Sequence, residues 1–171
     1  MTYPIVRYGN PVLEKPSETV TEFGTPDLEK LLEDMFESMY AAKGIGLAAP
    51  QIGIGRRIAV IDPSNGQEAA QRLVLINPEI VKVEGAQVGE EGCLSIPGFR
   101  EQVRRGQKVT VRAQDATGVV YEKTGEDLLA RAFLHETDHL NGWLYISHVS
   151  ALKRDLIRRK IRKMQKAGEW A

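Results

Sequence analysis

The sequence predicts an α+β fold in which mostly antiparallel sheets surround a central helix, with a further helix at the C-terminal end. Short strand-like runs are grouped in the middle of the chain, and helical patterns precede and follow them. Grouped strands favour antiparallel pairing, whereas a parallel sheet would need strands that alternate with helices. The length of 171 residues suits one core, so residues 1–171 are expected to form a single domain.

Two segments precede the strands. Residues 5–20 include two prolines and are expected to form an irregular arm. A helix is then predicted to begin after Thr25, because threonine is a favourable N-cap and Pro26 suits the first helical position. Gly44 is expected to end this helix. Apolar residues at spacings of three and four predict its buried face: Leu28, Leu31, Leu32, Met35, Met39 and Tyr40.

The strands are predicted from two patterns. Apolar runs bounded by turn residues predict strands at 57–62 and 73–78. Alternation of apolar and polar residues predicts strands at 79–85 and 108–113, and 119–122 is expected to pair with the latter across a turn. These runs would supply the antiparallel sheet.

Two helices complete the predicted fold. One runs from Gly125 to Leu140, where apolar residues again share a face, and the other from about Ser150 to Ala167. The last helix is strongly basic, and two interpretations are open: a solvated face of a packed amphipathic helix, or a surface that docks on RNA phosphates. Its basic residues are Lys153, Arg154, Arg158, Arg159, Lys160, Arg162, Lys163 and Lys166.

The composition argues against several functional classes. The chain has 23 Lys and Arg and 23 Asp and Glu, and the resulting net charge of zero argues against broad binding of nucleic acid, including DNA. No apolar run reaches the roughly 18 residues that span a bilayer, and the N-terminal residues lack the pattern of a secretory signal. Cys93 is the one cysteine, so no intrachain disulfide can form, and a cytoplasmic protein without a membrane partner is expected.

The pentapeptide His135-Glu136-Thr137-Asp138-His139 carries the sharpest chemical signal. Two histidines four residues apart lie on one face of a helix, so both imidazoles can bind one metal ion. Glu136 lies beside the first histidine, where it can act as the general base of a metal-assisted hydrolysis. The motif predicts a catalytic metal site, with a chance occurrence of the pattern as the alternative.

A catalytic site of this kind needs a third protein ligand. Tyr145 occupies the position at which one class of metalloprotease has a third histidine, and the next downstream glutamate is Glu169, near the end of the chain. His148 and Asp155 match no spacing typical of such sites. The third ligand is therefore expected upstream of the helix.

Cys93 is the predicted third ligand. It lies between Gly92 and a Pro-Gly turn rather than within an apolar run, and a thiolate binds a divalent cation strongly. A small buried core residue is one alternative, and a nucleophile with a histidine base is another. Only the metal site gives the two histidines and Glu136 a joint role with this cysteine.

The segment Gly44–Gly53 contains small residues that permit close approach of a peptide backbone. Gln51 adds a neutral amide donor. The alternative is a tight connection from helix to strand with a C-cap glycine.

Three segments together resemble, in the same order, the motifs of the peptide deformylase family: Gly44–Gly53 (GIGLAAPQIG), Glu91–Ser95 (EGCLS) and His135–Leu140 (HETDHL). The resemblance covers nearly the whole chain, and the terminal helix is similar to that of bacterial members that carry one. Leu134 departs from the family, which usually has Gln before the first histidine. The resemblance implies a metal-dependent hydrolase that removes the formyl group from the starting methionine of new polypeptides and releases formate.

The resemblance also implies roles for nine residues. It implies that Cys93, His135 and His139 bind the metal and that Glu136 is the general acid/base. It implies that Gln51 and the backbone N–H of Leu94 stabilise an oxyanion. It also implies that Ile45, Gly46 and Gly92 pair with the substrate backbone. Arg100 and Arg105 match basic positions of the family, but the sequence assigns them no role.

The implied cofactor is one divalent metal ion, with Fe(2+) expected and Zn(2+), Ni(2+) or Co(2+) as replacements. The implied partners are an N-formylmethionyl nascent peptide and, through the terminal helix, the ribosome. Two rival functions stay open. A metallopeptidase that cleaves internal bonds would need a downstream His or Glu ligand, and a non-catalytic RNA-binding or ribosome-associated protein could hold a structural zinc with His148 as fourth ligand.

Overall fold

The computed structural model describes residues 1–170 and has the predicted α+β architecture, with helices packed against antiparallel sheets. The helices are α1 (Pro26–Ala41), α2 (Asp127–Leu140) and α3 (Ala151–Lys166). The strands are β1 (Gly46–Ala48), β2 (Ile58–Ile61), β3 (Leu73–Glu84), β4 (Gln87–Gly92), β5 (Arg100–Arg105), β6 (Lys108–Gln114) and β7 (Val120–Glu126). Short 3-10 helices lie at Pro11–Glu14, Ala49–Ile52, Ala69–Gln71 and Tyr145–His148.

The strands form two antiparallel sheets. One has five strands in the order β1-β2-β3-β6-β7, and the other contains only β4 and β5. Because side chains alternate along a strand, Ile58 and Val60 of β2 pack with α1, whereas Ala59 and Ile61 pack with α2. The other side of α2 meets the small sheet, where Arg131 donates to the carbonyl oxygen of Val103 at 3.2 Å. α2 is therefore the predicted central helix.

The predicted start of α1 is confirmed, but its end is not at Gly44. The Thr25 hydroxyl accepts a hydrogen bond from the N–H of Leu28 at 3.1 Å, as an N-cap does. The helix ends at Ala41, and Lys43 takes the left-handed conformation with φ of 60°. The N–H of Gly44 then donates to the carbonyl of Met39 at 2.9 Å, which completes a Schellman motif. The left-handed residue of this motif is therefore Lys43, one residue before Gly44.

The two strands predicted at 73–78 and 79–85 form one strand, β3. The chain bends within it at Asn77, which has φ of 52°, and the register with β6 shifts there. The Asn77 side chain stabilises the bend, because it accepts from the N–H and donates to the C=O of Val20, each at 2.9 Å. A polar side chain thus replaces the strand pairing that the bend removes.

The sequence did not predict β1, β4 or β5. β1 is only three residues long, and β4 and β5 read QVGEEG and REQVRR, without the alternation that identifies a strand. Their charged side chains are tolerated because they pair across the small sheet and with α2. The remaining predicted elements are confirmed, with α2 beginning at Asp127 rather than Gly125 and α3 capped by Ser150.

A hydrophobic core cluster lies beneath α3, where Ile157 and Ile161 pack with Ile96 and Trp170. α3 is therefore part of the folded body and not an appended arm. None of the helices in the described part of the chain combines the length and hydropathy that a membrane crossing requires.

Candidate metal centre

Two elements bring the three predicted ligands together. His135 and His139 are one turn apart on α2, and their side chains lie on the same face. Cys93 follows immediately after Gly92, the last residue of β4. The carbonyl of Cys93 accepts a hydrogen bond from the N–H of Ile96 at 3.0 Å, so a tight turn orients this cysteine towards α2.

The three ligand atoms converge on one point. Cys93 Sγ lies 3.3 Å from Nε2 of His139, and that nitrogen lies 3.2 Å from Nε2 of His135. All three ligand atoms lie within 4.8 Å of one another. Ligand atoms about 2.1–2.3 Å from one cation in a tetrahedral arrangement are about 3.4–3.7 Å apart, so the cluster suits a single divalent ion with an open fourth position.

Burial and charge prepare the site for a cation. Burial lowers the pKa of His139, and the neutral imidazole is the form that binds a metal. His135 differs because, although burial opposes a charge on its ring, Glu136, Cys93 and Glu91 raise its pKa. Glu136, Cys93 and Glu91 thus favour a positive charge at the ligand cluster, which either a proton on His135 or a bound metal ion can supply.

Glu136 is only 5% exposed, and its Oε1 has no hydrogen-bond partner among residues 1–170. Burial raises the pKa of this carboxyl to about 7. The carboxyl packs directly against Gly46, where an added Cβ would lie 2.5 Å from Glu136 Oε2. A carboxyl with a free oxygen and a pKa near neutrality is suited to proton transfer.

Glu91 anchors the rear of the site. Its carboxylate is 4% exposed and accepts hydrogen bonds from Arg105 Nη2 at 2.7 Å, from Arg131 Nη1 at 2.7 Å and from His135 Nδ1 at 2.5 Å. Although burial opposes ionisation, the hydrogen bonds from His135 and Arg105 hold the pKa of Glu91 well below its usual range. Because an ionised carboxylate only accepts, Nδ1 of His135 carries a hydrogen, so Nε2 is the ring nitrogen through which this histidine would bind a metal ion.

His148 contacts this network and does not reach the ligand cluster. Its Nε2 lies 2.9 Å from Asp138 Oδ2 and 3.2 Å from Arg105 Nη1. Asp155 is exposed on α3, and neither residue belongs to the converging set found among residues 1–170. The described part of the chain thus supplies neither the fourth ligand of a closed zinc site nor the downstream ligand of a metallopeptidase.

Gln51 lies beside Cys93 and is 2% exposed. Its Oε1 accepts from the N–H of Ala48 at 3.0 Å, which fixes the orientation of the amide. Its Nε2 donates to Ser95 Oγ at 3.2 Å and lies 3.5 Å from Cys93 Sγ. The amide N–H group therefore faces the ligand cluster.

A cavity of about 480 Å³ opens onto these groups. It is lined by eight of the nine predicted site residues, and His139 lies behind them at 1% exposure. Ile45 and Gly46 form one wall with β1, Gly92 and Leu94 form another, and Leu128 and Ala132 of α2 add apolar surface. The structure thus brings all nine predicted residues to one place.

Three residues of the site have no role that the sequence alone assigns. Glu91 stands out only as part of a motif, Arg105 matches a family position without a role, and no pattern singles out Arg131. The position of Arg131 does offer a signal, because it precedes His135 by four residues and must share its helix face. Arg100, by contrast, is exposed and pairs with Glu90 at 2.5 Å.

Comparisons with known proteins match nearly the whole chain to one family. A family model described as polypeptide deformylase matches residues 2–155. A peptide deformylase of Acidobacterium capsulatum is 61% identical over 170 residues, covering 99% of each chain. A second, from Thermodesulfovibrio yellowstonii, is 47% identical over 158 residues, covering 92% of this chain and 95% of the relative.

Solved structures of the same family have the same fold as this chain. The crystal structure of a peptide deformylase from Legionella pneumophila superposes with a TM-score of 0.90 at 43% identity and covers 98% of both chains. A peptide deformylase structure from Thermus thermophilus gives a TM-score of 0.87 at 40% identity, with 95% of both chains covered.

Proposed function

This chain belongs to the polypeptide deformylase family, and from that premise we propose which of its residues carry the reaction. The reaction is a metal-dependent hydrolysis that removes the N-terminal formyl group from nascent polypeptides. The metal ligands are Cys93, His135 and His139, within one catalytic domain that spans residues 1–171. The observation that carries this proposal is the convergence of three ligand atoms, all within 4.8 Å, beside the buried carboxyl of Glu136.

A divalent cation held by Cys93, His135 and His139 would supply Lewis-acid chemistry, namely a lower pKa for water and polarisation of a carbonyl oxygen. Glu136 takes a proton from the attacking water and delivers it to the amide nitrogen as the C–N bond breaks. Gln51 Nε2 and the N–H of Leu94 donate hydrogen bonds to the formyl oxygen as its negative charge develops. Loss of one such donor typically lowers the rate roughly 100- to 1,000-fold. The products are formate and a free amino terminus.

Two strand edges support binding of the substrate backbone. β1 is the outer strand of the five-stranded sheet, and β4 pairs with no strand of residues 1–170 other than β5. Ile45 and Gly46 lie at the first edge and Gly92 at the second, and all three line the cavity. An extended formylmethionyl peptide can add its backbone hydrogen bonds at such edges.

Fe(2+) is the working ion of this proposal, with Zn(2+), Ni(2+) or Co(2+) as replacements. A thiolate with two imidazoles is a ligand set that suits these borderline and soft cations and disfavours Mg(2+) or Ca(2+). Cys93 beside Fe(2+) would make the protein sensitive to oxygen.

The proposed compartment is the cytoplasm, where new polypeptides carry the formyl group, and the proposed docking partner is the ribosome. Not every basic residue of α3 is available for docking. Arg154 donates to three carbonyls of the preceding segment, Arg158 donates to Tyr8 Oη at 3.1 Å, and Lys153 pairs with Glu101 at 3.4 Å. Arg159, Lys160, Lys163 and Lys166 are exposed and form no ion pair or side-chain hydrogen bond within residues 1–170. Of these, Arg159 and Lys166 line neither surface cavity of the protein, so they are the proposed contacts.

The test is formate release from a formyl-Met-Ala-Ser peptide by protein prepared without oxygen and loaded with Fe(2+). We expect fast release that a chelator abolishes and that Fe(2+) restores. Glu136→Gln should bind one equivalent of metal and lose at least about 100-fold in turnover, because general acid–base catalysis contributes that much. A matched Glu122→Gln variant, changed at an exposed carboxylate of β7, should keep full activity.

A different outcome would change the assignment. Stoichiometric metal without formate release would identify the site as structural. Full activity in the Glu136→Gln variant would show that another group transfers the proton.

A further inference from the structure

A second cavity adjoins the metal centre on the side of α3. Its volume is about 490 Å³, and residues 98–100 line both this cavity and the first one. Its other walls are Glu101 and, from α3, Lys160, Lys163 and Met164. The two spaces thus meet along the segment that precedes β5.

The charged groups of the second cavity are not equally paired. Arg100 pairs with Glu90 at 2.5 Å, and Glu101 pairs with Lys153 at 3.4 Å. Lys160 and Lys163 are exposed and form no ion pair with any carboxylate of the described residues. Because they are three residues apart on α3, the two ammonium groups lie on one side of the helix and leave the cavity positively charged.

The floor of the second cavity is apolar. Phe99 and Met164 are partly buried against the core cluster beneath α3, and the Phe99 ring packs edge-to-face against Trp170 with 6.4 Å between the ring centroids. An apolar floor with unpaired ammonium groups is suited to a peptide that carries carboxylates, since the backbone can lie on the floor while the side chains meet the lysines.

The substrate supplies such a peptide, because a nascent polypeptide is longer than the first cavity. With the formyl group at Cys93, the rest of the chain has to leave over the rim, and the rim at 98–100 leads into the second cavity. An extended chain advances about 3.3 Å per residue, so a few residues after the methionine suffice to cross from one cavity to the next.

We propose that the second cavity binds an acidic segment of the formylated polypeptide through Lys160 and Lys163. This proposal rests on the function proposed above. Both lysines are exposed, so the contacts are weak and are screened by salt. They act equally before and during the reaction, so they lower KM and leave kcat unchanged.

The experiment uses Fe(2+)-loaded protein and two formyl-Met-Ala-Ser peptides extended to about ten residues, one with Asp and one with Lys from the fifth residue on. At low salt we expect KM to be roughly three- to tenfold lower for the acidic peptide, with equal kcat, and the difference to vanish at high salt. A variant with Lys160→Glu and Lys163→Glu should reverse the preference.

Two controls accompany it. A variant with Arg159→Glu and Lys166→Glu reverses the same number of charges on α3 outside the cavity and should keep the preference. The formyl-Met-Ala-Ser tripeptide is too short to reach the second cavity and should be processed equally by all three proteins.

Equal KM values for the two peptides at low salt would overturn the proposal, as would a preference that persists in the Lys160→Glu, Lys163→Glu variant. Absence of a peptide preference, together with binding of a single-stranded RNA oligonucleotide that this variant loses, would assign the cavity to RNA instead. Failure to process the tripeptide would count against the proposed function and not against the second cavity.

Discussion

Nδ1 of His135 donates a hydrogen bond to Oε1 of Glu91 at 2.5 Å, while Nε2 of the same ring lies 3.2 Å from Nε2 of His139. The buried carboxylate therefore sets both the tautomer and the direction of the imidazole. Arg105 and Arg131 keep that carboxylate ionised from behind. The orientation and tautomer of the His135 ligand thus depend on residues that do not themselves bind the metal.

Replacing Glu91 with Gln should weaken metal binding by roughly 10- to 100-fold, as loss of such a partner of a metal ligand typically does. The amide can still contact His135, but it no longer fixes the tautomer or neutralises two guanidinium groups. Chelator competition measures the affinity. Glu122→Gln, at an exposed pair with Arg112, is the control and should bind metal as the parent protein does. An unchanged affinity in Glu91→Gln would contradict the positioning role.

Replacing Gly46 with Ala should lower kcat about 10- to 100-fold with metal still bound. The added Cβ would lie 2.5 Å from Glu136 Oε2, so the carboxyl has to move, and a displacement of about 1 Å can cost that much. Gly55→Ala is a matched control, because a Cβ there meets no atom within 4 Å. Steady-state formate release with metal analysis measures both. Normal turnover in Gly46→Ala would show that the position of Glu136 is not critical.

Replacing Arg105 with Met should destabilise the protein by about 3–5 kcal/mol, because Glu91 and Asp138 lose a buried ionic partner. The same change at Arg112, whose pair with Glu122 is about half exposed on each side, should cost about 0–1 kcal/mol. Urea unfolding of the metal-free proteins measures the difference. Equal losses in the two variants would argue that the buried network does not stabilise the fold.

Reversing Arg159 and Lys166 to Glu should weaken binding to ribosomes and make the remaining affinity less dependent on salt, because two phosphate contacts are lost. Hydrolysis of formyl-Met-Ala-Ser should be unchanged, since both residues lie outside the metal centre. This substitution is a cleaner test than removal of the helix, which would expose the apolar residues packed against Ile157 and Ile161. If the Arg159→Glu, Lys166→Glu variant kept the ribosome affinity of the parent protein, the docking proposal would be wrong.

Much of this protein is predictable from local sequence. A helix cap such as Thr25 acts within three residues, and the spacing of His135 and His139 places both rings on one face wherever the helix lies. Such patterns predict the α+β class, the central helix and α3, and all three are confirmed. The family was expected from the resemblance of three motifs and is also confirmed. The roles of the nine site residues stay predictions, although the structure brings those residues together.

The errors lie where local pattern and tertiary context diverge. Gly44 suits a C-cap, yet Lys43 takes the left-handed position, and the N–H of Gly44 completes the cap by donating to the carbonyl of Met39. The sequence predicts two strands, 73–78 and 79–85, because an apolar run changes to alternation between them, whereas the structure has the single strand β3. Here the bend at Asn77 is stabilised by hydrogen bonds to Val20, which is 57 residues away in sequence.

The sequence by itself determined the candidate ligands, because a cysteine after glycine and two histidines one turn apart are readable without a structure. Only the tertiary structure decided how those ligands are held. Glu91 meets Arg105, Arg131 and His135 across 14, 40 and 44 residues of sequence, respectively. A charged residue looks solvent-exposed in sequence, and only the packing of β4 against α2 removes it from water and gives it the partners that burial requires.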